Sequence, residues 1–163
     1  MTSPNASQQE RRRQPRLPVM RNVGEPIDLQ VIRDHRKTSI PGFILNLSAG
    51  GLRIVTLGDQ AAELTIGTPF ILDVHIAPKY QYLVEGRIVS MQKSDKAKLH
   101  HSDGEWFLGL EFTKIKDSDA KELNRLAEDW NICETKIKMS LPDICYKECS
   151  CFPFCEKTVK LVS

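Results

Sequence analysis

The sequence predicts a mainly β fold, a sandwich or barrel of short antiparallel strands followed by one C-terminal helix. Three observations predict it. Apolar and polar residues alternate along several short runs. Turn signals separate those runs. After Lys116 the apolar period lengthens to that of a helix. One-sided alternation suits antiparallel strands with one wet face, and closure into a barrel would remove exposed sheet edges.

The elements follow in order. Pro26 to Arg33 is a short β-type run. Gly42 to Ser48 alternates, which places Phe43, Leu45 and Leu47 on one face and Ile44, Asn46 and Ser48 on the other. Ala49-Gly50-Gly51 is a turn signal, and Leu52 to Thr56 resumes with β-branched residues. Thr68 to Ala77 places Phe70, Leu72, Val74 and Ile76 on one face, with Asp73 and His75 opposite. Tyr82 to Met91 and Trp106 to Thr113 complete the strands, and in the second Leu108, Leu110 and Phe112 share a face. Asp117 or Ser118 is the expected helix N-cap, with Asp119 in the first turn where the helix dipole favours negative charge. Leu123, Leu126, Ala127 and Trp130 then recur at i, i+3, i+4 and i+7, an apolar stripe that belongs in the core.

The 163 residues divide into three parts: a flexible basic arm over 1–25, a patterned domain over 26–131, and a Cys-rich tail over 132–163. With 40% hydrophobic and 27% charged residues, the chain can bury a core and stay soluble, which excludes full-length disorder. Lys plus Arg is 23 and Asp plus Glu is 21, a formal net of +2. Such balance argues against bulk nucleic-acid binding, so an anion site must come from local charge placement. No stretch approaches the ~20 apolar residues of a membrane helix, and the polar, basic start offers no secretory segment. The expected location is the cytoplasm, where thiols stay reduced.

Two local features carry chemistry. The first is the arm Arg11-Arg12-Arg13-Gln14-Pro15-Arg16. The second is Asn46-Leu47-Ser48-Ala49-Gly50-Gly51, in which Asn46 and Ser48 project from one face, outward from the core. Guanidinium groups bind phosphate and the O6/N7 edge of guanine bidentately. The Asn amide and Ser hydroxyl offer donors and acceptors to a base edge, and the glycines let backbone N–H groups approach a ligand. Together they suit a guanine nucleotide on the outside of a barrel.

On these residues the sequence resembles the PilZ domain family, the bacterial receptor module for cyclic di-GMP. The family's RxxxR stands here as Arg12-Arg13-Gln14-Pro15-Arg16, and its [D/N]xSxxG as Asn46 through Gly51. The segments ERRRQPRLPV, ILNLSAGGLRI, VEGRIV and FLGLEF follow the family in order, and the resemblance covers about residues 10 to 130. It implies a six-stranded antiparallel barrel with a C-terminal helix. It implies that Arg12 and Arg16 grip guanine and phosphates and that Asn46, Ser48 and Gly51 complete the site; Arg11, Arg13 and Gly50 are secondary candidates. It also implies an arm that orders around the ligand and presents a new surface to a protein effector, in control of motility, exopolysaccharide or biofilm. Position 46 is more often Asp in the family. An amide offers one acceptor oxygen where a carboxylate offers two, so a weaker site is expected.

No paired carboxylates or base–nucleophile set suggests catalysis, and Ser48 lacks the Gly-x-Ser-x-Gly elbow. His35, His75, His100 and His101 show no metal-binding spacing. Cys145, Cys149, Cys151 and Cys155 form a C-x3-C-x-C-x3-C run that the resemblance does not cover. Four thiolates can hold zinc; a redox-labile disulfide or plain thiols are the alternatives. Cys133 stands apart and is expected to be a packed thiol behind the helix. Two other functions fit the same fold: a ligand-free adaptor working through protein contacts, and a basic-arm nucleic-acid binder. The strands lack the exposed aromatic platform interleaved with basic residues that the second would use.

Overall fold

A computed structural model describes residues 14–18, 26–76, 79–94, 104–142, 144, 145, 148–152 and 155. Seven strands form one antiparallel sheet: β1 Leu17–Pro18, β2 Ile27–Arg33, β3 Arg36–Ser48, β4 Gly51–Leu57, β5 Pro69–Ile76, β6 Tyr80–Lys93 and β7 Glu105–Lys114. The order β3-β2-β5-β6-β7-β4 returns to β3 through the β3–β4 pairing, so six strands close a barrel as expected. The interior is built from the inward halves of the alternating runs. Leu29, Val31, Phe70, Leu72, Val74, Tyr82, Val84, Ile88 and Leu108 are fully buried. Closure leaves no long unpaired edge in the barrel wall.

β1 corrects the picture of a free arm. It pairs with β3 at Leu17↔Leu47, on the edge that β2 occupies further along. Leu17 is 1% exposed and belongs to the core. The chain just after Arg16 is therefore fixed to the barrel. Residues 1–13 and 19–25, including Arg11, Arg12 and Arg13, lie outside the described residues.

β3 begins six residues earlier than the alternation predicted. Arg33 pairs with Arg36 across a two-residue turn at Asp34 and His35. Their φ angles are 47° and 63°, a left-handed turn whose twist matches that of the flanking strands. The polar run before Ile40 and the presence of Pro41 hide this half of the strand from a pattern reading.

The phase of β3 also differs. Ile40 and Ile44 face the core, whereas Phe43 and Leu45 point outward, 42% and 37% exposed. The expected grouping of Phe43 and Leu45 with buried Leu47 is thus wrong. The cause is a β-bulge: Ile44 pairs with Ile54, the next pair is Asn46↔Arg53, and Leu45 is the extra residue. Beyond it the alternation inverts. Leu47 turns inward, and Asn46 and Ser48 take the outer face that was expected for them.

The helix α1 spans Asp117–Lys138. Lys116 is the N-cap and makes no side-chain cap bond, so neither Asp117 nor Ser118 caps it; Asp117 and Asp119 lie in the first turn, and Lys136 and Lys138 in the last. Both charge placements complement the helix dipole. Leu123, Leu126, Ala127 and Trp130 are buried as predicted, and α1 packs against β1 and β3. Tyr82 Oη donates to Glu122 Oε2 at 2.9 Å, tying α1 to the barrel wall. Burial, reinforced by that bond to a carboxylate, pushes the Tyr82 phenol well above its ordinary pKa. The helix runs past Trp130, so Cys133 lies within it. No described helix is long and apolar enough to cross a membrane.

The bulge predicts a contrast between backbone and side chain. Deleting Leu45 closes the bulge with Asn46 and Ser48 still outward and Leu47 still inward, so the variant should fold, at a cost of about 1–3 kcal/mol from the lost local bend. Leu45→Ala keeps the extra residue and should shift stability by less than about 1 kcal/mol. Urea denaturation of the two variants measures this. Equal midpoints would show that the extra residue adds nothing to stability.

Candidate functional site

Two rows of paired residues run side by side across the outer face of the barrel. The first is Asn46↔Arg53↔Gly109↔Ser90, across β3, β4, β7 and β6. The second is Ser48↔Gly51↔Glu111↔Arg87 across the same strands. The first row is bracketed by irregularities at both ends, the bulge at Leu45 and a register shift that leaves Val89 extra in β6. Gly51 and Gly109 lack side chains between longer neighbours, so the surface dips. The result is a cleft of about 750 Å³. That lies within the ~300–1,000 Å³ usual for small-molecule sites.

The structure brings most of the sequence candidates together. Arg16, Asn46, Ser48, Gly50 and Gly51 all line this cleft. Arg16 is exposed and stands beside the anchored Leu17. The turn between β3 and β4 is held by its own groups. Ser48 Oγ donates to the Gly51 carbonyl at 3.1 Å, and Phe112 N donates to the Gly50 carbonyl at 2.9 Å. Arg11, Arg12 and Arg13 lie outside the described residues, so their placement relative to the cleft is not described.

Sequence reading missed Gln14, Arg53, Val89, Ser90, Gly109 and Glu111, which also line the cleft. Arg53 carried a signal, since β4 alternates cleanly and Leu52 and Ile54 are buried on either side of it. Val89, Ser90, Gly109 and Glu111 come from strands distant in sequence, and only the register unites them. Gln14 lies against the turn: a Cβ at Gly50 would meet Gln14 Oε1 at 2.4 Å. Charge in the cleft is partly cancelled. Arg87 Nε donates to Glu111 Oε2 at 2.8 Å. Arg53 stacks on Phe107, 5.3 Å from the ring centroid, and makes no ion pair among the described residues.

The cysteine tail is a separate matter. All five cysteines are thiols, and among the described residues no three His, Cys, Asp or Glu side chains are placed to hold a metal ion. Zinc on Cys145, Cys149, Cys151 and Cys155 is therefore not supported. Cys151 shows the physical reason. It is 2% exposed, and its thiol donates to the Leu126 carbonyl at 3.3 Å. Burial, with Cys149 and Asp129 nearby, pushes this thiol up to about 12, which disfavours the thiolate a metal needs. The tail serves as packing. Ser150 N and Oγ donate to Asp129 of α1, and Tyr80 Oη donates to the Ser150 carbonyl at 3.1 Å.

A family model, the PilZ domain, matches residues 10–129. No curated protein matches the chain by sequence. Among solved structures, the PilZ domain of YcgR from Escherichia coli with c-di-GMP is similar at TM-score 0.56 and 19% identity, over 80% of this chain and 98% of that one. The c-di-GMP complex of MrkH from K. pneumonia is similar at TM-score 0.56 and 16% identity, over 78% of this chain and 55% of that one. An inhibitor of motility from Bacillus subtilis is similar at TM-score 0.53 and 18% identity, over 74% and 51%. The chain thus corresponds to about half the length of the last two.

The glycines and the tail each yield an expected outcome. A Cβ at Gly51 would sit 2.1 Å from the Leu110 carbonyl, which is backbone and cannot yield, so Gly51→Ala should destabilise by about 1–3 kcal/mol. Gly50→Ala meets only the end of a flexible Gln14 side chain and should leave the denaturation midpoint nearly unchanged. In the native protein near pH 8, Cys151 should resist alkylation that modifies Cys145 and Cys149, and should react once urea unfolds the chain. Peptide mapping after iodoacetamide treatment reads this directly, and rapid native labelling of Cys151 would contradict the docked tail.

Proposed function

The chain belongs to the PilZ domain family, and from that membership we propose that it is a receptor for cyclic di-GMP, a relay rather than an enzyme. The observation that carries this reading is the convergence of Arg16, Asn46, Ser48 and Gly51 on one outer cleft. Four groups drawn from the arm and from two strands share a concave surface sized for a small molecule.

The chemistry of each group fits a guanine dinucleotide. The Arg16 guanidinium suits a phosphate or the O6/N7 edge of guanine, to which it donates two parallel hydrogen bonds. Arg12, at the other end of the RxxxR motif, supplies a second such fork from the arm. The Asn46 amide both donates and accepts toward a base edge. Ser48 and Gly51 hold the turn tight, so the ligand meets backbone at close range. Arg11, Arg13 and Gly50 are secondary contacts.

Binding then acts as an order switch. The ligand gathers the arginines of the arm onto the barrel wall, and the covered cleft becomes a composite surface of arm, ligand and barrel. A protein effector that recognises only this surface is engaged only when the dinucleotide is present. Control of motility, surface polysaccharide or biofilm is the output we assign to it. An inhibitor of motility and two proteins solved with c-di-GMP are among the structures of similar fold.

Titration calorimetry of cyclic di-GMP into wild type and the Arg12→Ala/Arg16→Ala variant, with GTP as control, tests the reading. Selective binding by wild type, weakened at least about a hundredfold in the variant, is expected from the loss of two charge-assisted forks. Asn46→Asp should bind more tightly than wild type, because a carboxylate accepts from guanine N1 and N2 together. Absence of binding by wild type would overturn the receptor reading in favour of a ligand-free adaptor. Salt-steep binding of single strands without preference for cyclic di-GMP would favour a nucleic-acid binder.

A further inference from the structure

Arg53 lies at the centre of the cleft floor, in the row between Asn46 and Gly109. Three features together set it apart from the other cations of this surface. It belongs to a barrel strand, β4. Its guanidinium rests over the ring of Phe107, at 5.3 Å from the centroid. It also makes no ion pair among the described residues, whereas Arg87 in the adjoining row is committed to Glu111. A planar cation that has one face on an aromatic ring keeps its other face for a second π surface.

We propose that Arg53, braced by Phe107, is the fixed stacking shelf of the site, on which a guanine base of the ligand lies face to face. The inference rests on the receptor reading above and adds to it a residue outside both motifs. The flat neighbourhood supports it. Gly109 lies directly beside Arg53 and offers no side chain of its own, and the small Ser90 hydroxyl fills the place that a Cβ there would take. Arg16 then supplies edge or phosphate contacts to a base already oriented by the shelf. Orientation of the first base is thus a property of the barrel.

The shelf and a simple counter-charge make opposite claims about lysine. Lys keeps the charge at position 53 but has no plane to stack. Titration calorimetry of cyclic di-GMP into wild type, Arg53→Ala, Arg53→Lys and Phe107→Leu separates them, with circular dichroism to confirm that each variant is folded. Arg53→Ala should weaken binding roughly ten- to a hundredfold, the scale of losing one stacked base. Arg53→Lys should stay close to the alanine variant. Phe107→Leu removes the brace and should weaken binding in the same direction by a smaller factor. Recovery of wild-type affinity by Arg53→Lys would overturn the shelf, as would unchanged affinity in Arg53→Ala. Binding by wild type that is indifferent to position 53 sinks this inference alone. Absence of binding by wild type sinks the receptor reading and this inference with it.

Discussion

A β-strand has a side-chain period of two, so one inserted residue decides what every later side chain of the strand does. In this barrel that residue is Leu45. Before it, β3 is an ordinary wall strand with Ile40 and Ile44 packed inside. After it, the same strand buries Leu47 and turns Asn46 and Ser48 to the outer surface. Were Leu45 paired as an ordinary ladder residue, the two polar groups would face the core, where an unpaired amide is costly. The register shift at Val89 marks the opposite end of the same row. Bulges often lie beside functional sites because they re-aim a side chain at the expense of one ladder interaction. Here a pair of them frames the cleft.

The barrel was largely legible in the sequence. Clean alternation in β5, with Phe70, Leu72, Val74 and Ile76, survives intact because both of its neighbours keep register with it across the whole contact. The helix stripe from Leu123 to Trp130 was equally readable, since a helix buries one face wherever it packs. What escaped was set by tertiary pairing. The phase of Phe43 and Leu45 depends on an extra residue that can be seen only against the partner strand. The early half of β3 is polar and contains Pro41, so nothing in its composition announces a strand. In the site, the arm residue Arg16 and the turn Asn46 to Gly51 were found because each is a compact motif. Arg53, Gly109 and Glu111 were not, because they meet across strands separated by fifty residues and more of chain. The cysteines misled for a related reason. Spacing resembled a ligand set, but Cys151 is claimed by the core and by a helix carbonyl.

The tail and β1 meet the same helix. α1 lies on β1 and β3, and the tail lies on α1 through Asp129 and Leu126. Tyr80 and Tyr82, consecutive inward positions of β6, reach out to both: one binds the tail at Ser150, the other binds α1 at Glu122. Burying these two large rings while satisfying their hydroxyls fixes helix and tail at once. β1, the short strand beside Arg16, is therefore covered by an element that the tail braces from behind.

For a receptor of the kind proposed, the short strand β1 has a consequence for ligand capture. Leu17 clamps the chain one residue after Arg16, so the arginines of the arm are tethered rather than free solutes. Arg12 lies five residues along the chain from that clamp, a contour of at most about 17 Å. A second binding group confined to such a volume acts at a high effective concentration, and its engagement costs far less entropy than a separate collision would. The arm and the barrel wall are in this sense a chelate built from one chain. Each half can be weak, release of one is quickly reversed while the other holds, and full dissociation requires both to let go together. The length of chain between clamp and arginine, rather than the strength of any one contact, then sets how long the signal persists.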